Sequence, residues 1–555
     1  MGTLPTLRAP SDDRVGTLPT SDDRVGTLPT LPIPDEFRMD LRKTLMLIGV
    51  MLALVLEILD SSIVNVALPS MMGNLGATVD EISWVVTSYI IANVIVIPMT
   101  SFLSGRFGRR RYFVGSILIF TAASFLCGLS HTLPQLVVFR VIQGMGGGAL
   151  LSTSQSVMME SFPPQRQGSG QALFGMGATL GPSLGPTLGG WITNQWSWPW
   201  IFYVNIPLGL IAAFLCWSYL PEPKFVRRVE GVDWRGIVLL VVGVGALQTF
   251  LERGNRLDWF ESDFITFLAV TCVASLAYFV WHELHHEHPV VDLRVFRHRS
   301  LMIGSIYGAM MGVGLYGSVF LFPLFTQQVL GWSSWQSGLA IAPSSLATAL
   351  VMPIAGRVVW RFGPAPLFAT GIAIFVPTLW AMSHWTLQSG EADLFWPQIT
   401  RGVALGLMFV PLSLATLRSL PPEDMLQGAG LYNLFRQVGG SLGIAVLATL
   451  VDHRAVLHHA YLSESVSPFS MATQERLAGI AGVLVQRGLD PTSAMDAARH
   501  TLDLIVSRQA AVLAFRDCYW VVLGVFAVLA PLVPLLRRPP GAGPGAPQAS
   551  SAAAH

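Results

Sequence analysis

Residues Leu173–Trp191 read LFGMGATLGPSLGPTLGGW. In a soluble protein, glycine and proline in such numbers mark a loop. Here the other residues are almost all apolar, and Gly177, Gly181, Gly185 and Gly189 fall four apart. That spacing lays small residues along one ridge of a helix, where another helix backbone can approach closely. Pro182 and Pro186 each delete a helical hydrogen bond and are expected to bend the segment. The stretch, with Gly190 at its end, therefore reads as a kinked, close-packed membrane helix.

Composition supports a membrane setting. Of 555 residues, 52% are hydrophobic and 12% charged, against about 25% charged in soluble chains. So few charges cannot coat a soluble protein of this length, but suffice if much of the surface meets lipid. The net charge of +1 gives no case for a nucleic-acid partner. The cysteines (Cys127, Cys216, Cys272 and Cys518) sit singly in apolar segments, so no disulfide framework is expected. No GxxxxGK[ST] loop is present, which argues against ATP as the energy source.

A spanning helix needs roughly 20 mostly apolar residues. Fourteen segments qualify: 44–68, 82–103, 112–130, 133–158, 168–192, 199–220, 235–251, 264–282, 301–326, 336–358, 365–385, 394–417, 428–451 and 517–536. An even count puts both termini on one side. Basic residues cluster before span one (Arg38, Arg42, Lys43) and after spans two (Arg106, Arg109–Arg111), six (Lys224, Arg227, Arg228), eight (Arg294, Arg297, Arg299), ten (Arg361) and fourteen (Arg537, Arg538). Among the opposite short connections only Arg253 and Arg256 stand out. The positive-inside rule then makes both termini cytosolic. The connection at about 452–516 is expected to be a long external loop. Residues 1–40, with SDDRVGTLPT occurring twice at 11–30, and residues 539–555 read as disordered cytosolic tails.

Three motifs recur at a near-constant offset. Arg106-Phe107-Gly108 returns as Arg361-Phe362-Gly363, Arg140 as Arg401, and Gln167-Gly168-Ser169-Gly170 as Gln427-Gly428-Ala429-Gly430. The expected architecture is all-α: two homologous six-helix bundles, 41–222 and 300–538, with two inserted helices in 223–299. Parallel six-span repeats are the plan of major facilitators.

Ionisable residues within spans are functional candidates because burying them is costly. Glu57 and Asp60 share a face of span one, and Ser61 and Asn65 extend it. Counting rise per residue places Glu57 and Arg140 at one level, so these two are expected to pair, with Asp60 slightly further out. A carboxylate whose proton depends on a nearby arginine is suited to proton coupling. In the second half Arg401 and Arg436 are the buried charges, with Asn433 and Gln437 beside Arg436. Trp84, Tyr89, Asn93, Gln143, Tyr316 and Gln327 are candidates to line a substrate cavity.

At these residues the chain, from about Leu41 to Arg538, resembles the EmrB/QacA-type fourteen-helix drug:proton antiporters of the major facilitator superfamily. LDSSIVNVALP (Leu59–Pro69) looks like the family's first-helix motif, with its acidic residue at Asp60. SFLSGRFGRR (Ser101–Arg110) is similar to the cytosolic loop signature at Arg106, Gly108, Arg109 and Arg110. It departs at Ser101 and Gly105, where the family has glycine and aspartate, so the latch that aspartate forms does not carry over in full. Arg140-Val141-Ile142-Gln143-Gly144 resembles the fourth-helix arginine motif, GPSLGPTLGG (Gly181–Gly190) the fifth-helix antiporter motif, and WPWIFYVNIP (Trp198–Pro207) a stretch of the subfamily. The resemblance implies efflux of hydrophobic or cationic drug-like molecules from the cytoplasmic (inner) membrane, driven by inward proton flow. It also implies a periplasmic adaptor and an outer-membrane channel as partners. Leu477, Ile480 and Leu484, at helical spacing in the external segment, offer a contact for them. An importer or facilitator on the same fold is the alternative.

One motif points elsewhere. His282-Glu283-Leu284-His285-His286 matches the zinc-protease pattern H-E-x-x-H. Spacing fixes no third ligand, His288 and Asp292 being the nearest choices, and Pro289 follows at once. The expectation is therefore a charged helix end, with no enzyme activity, no metal and no cofactor beyond the proton gradient.

Overall fold

The computed structural model describes residues 40–222, 231–467 and 469–536. The N-terminal repeats, the C-terminal tail and the basic residues Arg38, Lys224, Arg227, Arg228, Arg537 and Arg538 lie outside them, as do the side chains of Pro182 and Pro186 with their expected bend. All regular structure among the described residues is helical. The first half contains α1 (Leu41–Leu75), α2 (Trp84–Phe107), α3 (Arg109–Gly128), α4 (Leu133–Glu160), α5 (Gln167–Gln195) and α6 (Asn205–Tyr219). Next come α7 (Trp234–Arg253) and α8 (Asp263–His285). The second half contains α9 (Arg299–Leu324), α10 (Ser334–Phe362), α11 (Pro364–Met382), α12 (Glu391–Leu417), α13 (Met425–Ser465) and α14 (Pro491–Leu529). Among the described residues, thirteen spans are apolar and long enough to cross a membrane. The other is α5, the glycine-rich segment. Its 29 residues exceed the roughly 20 a bilayer requires, and it packs between α1 and α10.

The glycine ridge does what its spacing requires. A Cβ on Gly181 would collide with Ile58 of α1, one on Gly185 with Ser62, and one on Gly189 would lie 2.9 Å from the Ile63 carbonyl. With hydrogens there instead, Ser62 Oγ reaches across to donate to the Gly181 carbonyl at 3.1 Å. The second half repeats this pairing between α9 and α13. A Cβ on Gly439 would strike the Ala309 backbone, and one on Gly443 would lie 2.9 Å from Val313 Cα. The Arg-Phe-Gly repeat is also structural. Gly108 and Gly363 both have φ 85°, where a side chain is disfavoured, and each ends one helix and starts the next.

The halves meet where α5 begins and α10 ends. A Cβ on Gly356 would lie 2.5 Å from the Gly168 carbonyl, so here the two backbones touch. Nearby, Asn433 donates to Gln155 at 2.6 Å, and Gln155 to Gln171 at 3.1 Å.

The two extra helices do more than separate the halves. α7 packs on α8 and also on α2 and α13, one helix from each half. Gln248 donates to Ser441, Asn255 to Asp452 and Trp259 to Thr449. Arg253 donates to the Asp80 carbonyl, and Arg256 pairs with the Asp80 carboxylate at 3.5 Å. The two basic residues on the expected outer side therefore tie the insertion to the α1–α2 connection.

The 13–14 connection differs from the expected loop. α13 continues to Ser465, about 14 residues or roughly 20 Å beyond the apolar stretch ending at Val451, and α14 begins at Pro491. Hydropathy marks where lipid ends, and a helix can continue past that point. Asp490 caps α14 by accepting from Thr492 and Ser493, and hydrogen bonds, first from Ser493, hold its carboxyl below the usual range. A further helix, Met471–Gln486, packs on α14 and half-buries Leu477, Ile480 and Leu484. All four cysteines are buried and unpaired.

Candidate proton and substrate site

Asp60 and Glu57 project from the middle of α1, where the close contact with α5 fixes the backbone. Three residues along a helix is about 300° of rotation, so the side chains diverge by roughly 60°. They therefore meet different neighbours. Arg140 pairs with Asp60, Nη1 to Oδ2 at 2.5 Å, and both side chains are fully buried. This corrects the expected Glu57–Arg140 pair: equal depth leaves open which side of α1 faces α4.

Asp60 is saturated with donors. Gln143 Nε2 donates to Oδ1 at 2.8 Å and Asn205 Nδ2 to the same oxygen at 2.9 Å. Arg140 also donates to Gln143 Oε1 at 2.8 Å and, through Nε, to the Val85 carbonyl at 2.9 Å. Its guanidinium carbon lies 4.0 Å from the Tyr89 ring centroid. Asn205 donates to Ser124 Oγ at 3.1 Å, and Ser124 to the Phe202 carbonyl at 2.9 Å. Five helices of the first half thus converge on one buried acid–base pair.

The sequence reading missed Asn205 and Ser124. Asn205 opens α6 inside the aromatic stretch WPWIFYVNIP, where the family resemblance singles out no residue. The available signal was a lone amide at the start of an apolar helix, since a buried amide needs a polar partner.

Glu57 is held differently. Asn93 Nδ2 donates to Oε1 at 3.0 Å, whereas buried Oε2 has no hydrogen-bond partner. The Tyr89 hydroxyl donates to the Glu57 backbone carbonyl at 3.3 Å. A Cβ on Gly147 would lie 2.9 Å from that hydroxyl and 3.0 Å from Asn93 Nδ2, so this glycine makes room for the cluster. Arg436 of the second half lies within electrostatic reach of Glu57. Its own hydrogen bonds run to neutral groups, Asn433 Oδ1 at 3.0 Å and the Tyr316 hydroxyl at 3.3 Å.

The remaining candidates disperse. Asn65 is exposed and donates to the Ser61 carbonyl. Gln437 is half-buried, and Gln327 is exposed on the π-helical turn Phe325–Val329. Trp84 stacks under the Arg253 guanidinium at 4.6 Å, which places it at the inserted helices. Arg401 is buried without a carboxylate, donating to the Ser318 carbonyl at 3.0 Å and Ser344 Oγ at 3.2 Å. In the Arg106–Arg110 loop, Arg109 pairs with Glu160 at 2.6 Å, and the Arg110 N–H donates to Glu222 at 3.2 Å. Both contacts stay within the first half.

These features agree with the comparisons. The family model described as Major Facilitator Superfamily matches residues 50–444. The chain belongs to the major facilitator superfamily. Within the superfamily it is similar to the fatty acid resistance protein FarB of Neisseria gonorrhoeae, 34% identical over 89% of this chain and 96% of that one. The multidrug export protein EmrB of Escherichia coli (strain K12) is 33% identical over 90% and 96%. The colistin resistance protein EmrB of Acinetobacter baumannii is 31% identical over 83% and 90%. These relatives place the chain among the EmrB/QacA-type members of the superfamily. The human organic anion transporter MFSD10 shares the fold, with a TM-score of 0.55, 14% identity and coverage of 87% of this chain and 99% of that one. A major facilitator of this type is a multi-pass membrane transporter. The H-E-x-x-H motif is accordingly no protease site: Glu283, which would be its base, is fully buried and accepts from the Val291 N–H at 3.2 Å.

Proposed function

We propose that this protein exports hydrophobic or cationic drug-like molecules across the cytoplasmic membrane in exchange for protons, by alternating access, with both termini cytosolic. The observation that carries the reading is the unequal treatment of two neighbouring carboxylates. Asp60 receives an arginine and two amides. That donor set occupies both carboxylate oxygens, and the pair positions α1, α4 and α6. Glu57 keeps one oxygen free and faces a single amide. A carboxyl so placed takes a proton, or a substrate cation in its place, and this competition is the exchange. The paired extensions of α13 and α14 would meet a periplasmic adaptor that leads to an outer-membrane channel.

In proteoliposomes loaded with a fluorescent lipophilic cation, Glu57→Gln should abolish ΔpH-driven efflux. Substrate binding by the variant should persist and lose its pH dependence. Efflux at the wild-type rate would remove Glu57 from coupling.

A second substrate class rests on Arg436, a buried guanidinium hydrogen-bonded only to neutral groups. Such a group also suits the head of an amphipathic anion, as the name of the FarB relative suggests. Competition of decanoate against the lipophilic cation separates the two: inhibition that Arg436→Gln relieves assigns the anion to Arg436.

A further inference from the structure

The inserted helices bring together three side chains that the transport reading does not use. His282 and His286 stand at the end of α8, and their rings stack with centroids 5.0 Å apart. Opposite them, Asp233 precedes α7 and accepts from the Gly236 N–H through Oδ1 at 2.9 Å, which leaves Oδ2 for the histidines. His282 Nε2 lies 2.8 Å from that oxygen and His286 Nε2 4.0 Å from it. One ligand atom from each residue falls within 4.8 Å of the others. The two separations bracket the roughly 3.3 Å kept by two ligands bonded at about 2.0–2.1 Å to a tetrahedral ion.

A second observation points to a cation. Glu283 is fully buried, and its Oε1 has no hydrogen-bond partner. That oxygen and Asp233 Oδ2 each lie 2.5 Å from the position a Cβ on Gly236 would occupy. Glycine therefore keeps open a space where two carboxylates converge. Arg294 Nη2 donates instead to the Leu284 and His286 carbonyls. Two buried carboxylates that converge, one of them with two imidazoles beside it, call for positive charge between them.

We propose that Asp233, His282 and His286 form a binding site for a borderline divalent cation of the zinc class, with Glu283 as the buried carboxylate behind it. Two imidazole nitrogens and one carboxylate oxygen are a ligand set for such ions, with one position open to water. His286, whose side chain is 40% exposed, gives the ion its entry, while Asp233, 3% exposed, is the inner anchor. The ion would clasp the start of α7 to the end of α8, beside the segment that leads into the second half. The H-E-x-x-H pattern thus supplies two ligands, and Asp233, 49 residues earlier, supplies the third that local spacing did not. With Glu283 sealed by the chain, the site is structural and not hydrolytic.

The test uses full-length protein without a histidine tag, purified in detergent, stripped with chelator and dialysed against Zn²⁺. Metal analysis should find one tightly held Zn²⁺ per chain. His286→Ala, at a partly exposed position, should fold and bind at least tenfold more weakly. His458→Ala, which removes an imidazole from the α13 extension, should keep the ion. Co²⁺ in place of Zn²⁺ should give the visible absorption of a low-coordinate nitrogen–oxygen site in wild type and not in His286→Ala. Zn²⁺ should raise the melting temperature of wild type by several degrees and leave His286→Ala unmoved. Equal binding by wild type and His286→Ala, no bound Zn²⁺ in wild type, or loss of the ion in His458→Ala would overturn the proposal.

Discussion

Arg140 and Arg401 occupy related places in the two halves, and their surroundings differ in one decisive respect. Arg140 meets a carboxylate, Asp60, within a network of amides and hydroxyls. Arg401 meets a carbonyl and a hydroxyl, from Ser318 and Ser344. Ser318 lies on α9, 258 residues after Asp60 and so within the range of offsets that relates the halves. The scaffold is shared: both halves have a close-packed glycine pair of helices and an Arg-Phe-Gly corner with φ 85°. The packing is common to both halves, while the buried ion pair belongs to the first. Arg140 is an electrostatic keystone there, and Arg401 a hydrogen-bonding one.

The sharpest way to break that contrast is to make the first half resemble the second. Asp60→Ser leaves the Arg140 guanidinium buried without its counter-charge, and removing one partner of a buried pair typically costs about 3–5 kcal/mol. A large drop in melting temperature in detergent and complete loss of efflux are expected. Adding Arg140→Gln should restore most of the stability, because the orphaned charge is gone, but not the transport. A double variant as unstable as Asp60→Ser would show that the amide network, not the charge pair, holds these helices.

The glycine ridges come next and test what the halves share. Gly185→Val would drive its side chain into Ser62 and the Ile63 N–H. Overpacking of this kind costs about 1–3 kcal/mol, and displacing α1 would carry Asp60 away from Arg140. Gly439→Val should do comparable damage to the α9–α13 pair, where the Ala309 backbone is in the way. Gly190→Val is the internal control, since only Val66 Cγ1 lies near, at 3.8 Å. Thermal melts and efflux should separate Gly185 and Gly439 from Gly190. A harmless Gly185→Val would mean the seam is looser than these contacts require.

Such contacts also show how far the sequence could be read. The four-residue glycine spacing foretold a close helix pair, because backbone approach leaves its mark in every turn. The partner, α1 of the same half, left no such mark. The carboxylates were visible because charges in an apolar helix are costly. Which acid Arg140 chooses depends on helix rotation and tilt, which residue counting does not fix. Asn205 and Asp233 escaped for a related reason: their partners lie 145 and 49 residues away, and an isolated asparagine or aspartate at a helix start reads as a cap. The extensions of α13 and α14 were hidden because polar helix and polar loop share a composition.

The smallest effect is expected at Arg401. Arg401→Met removes two hydrogen bonds to neutral groups, each worth about 1 kcal/mol. It also spares the cost of keeping a guanidinium away from water. These contributions oppose each other, so the melting temperature should move by no more than a few degrees and efflux should stay within about twofold of wild type. Arg140→Met, the same change at the related position, strands Asp60 and should be as damaging as Asp60→Ser. A collapse at Arg401 as deep as that at Arg140 would mean the second half has an ionic role that its neutral partners do not explain.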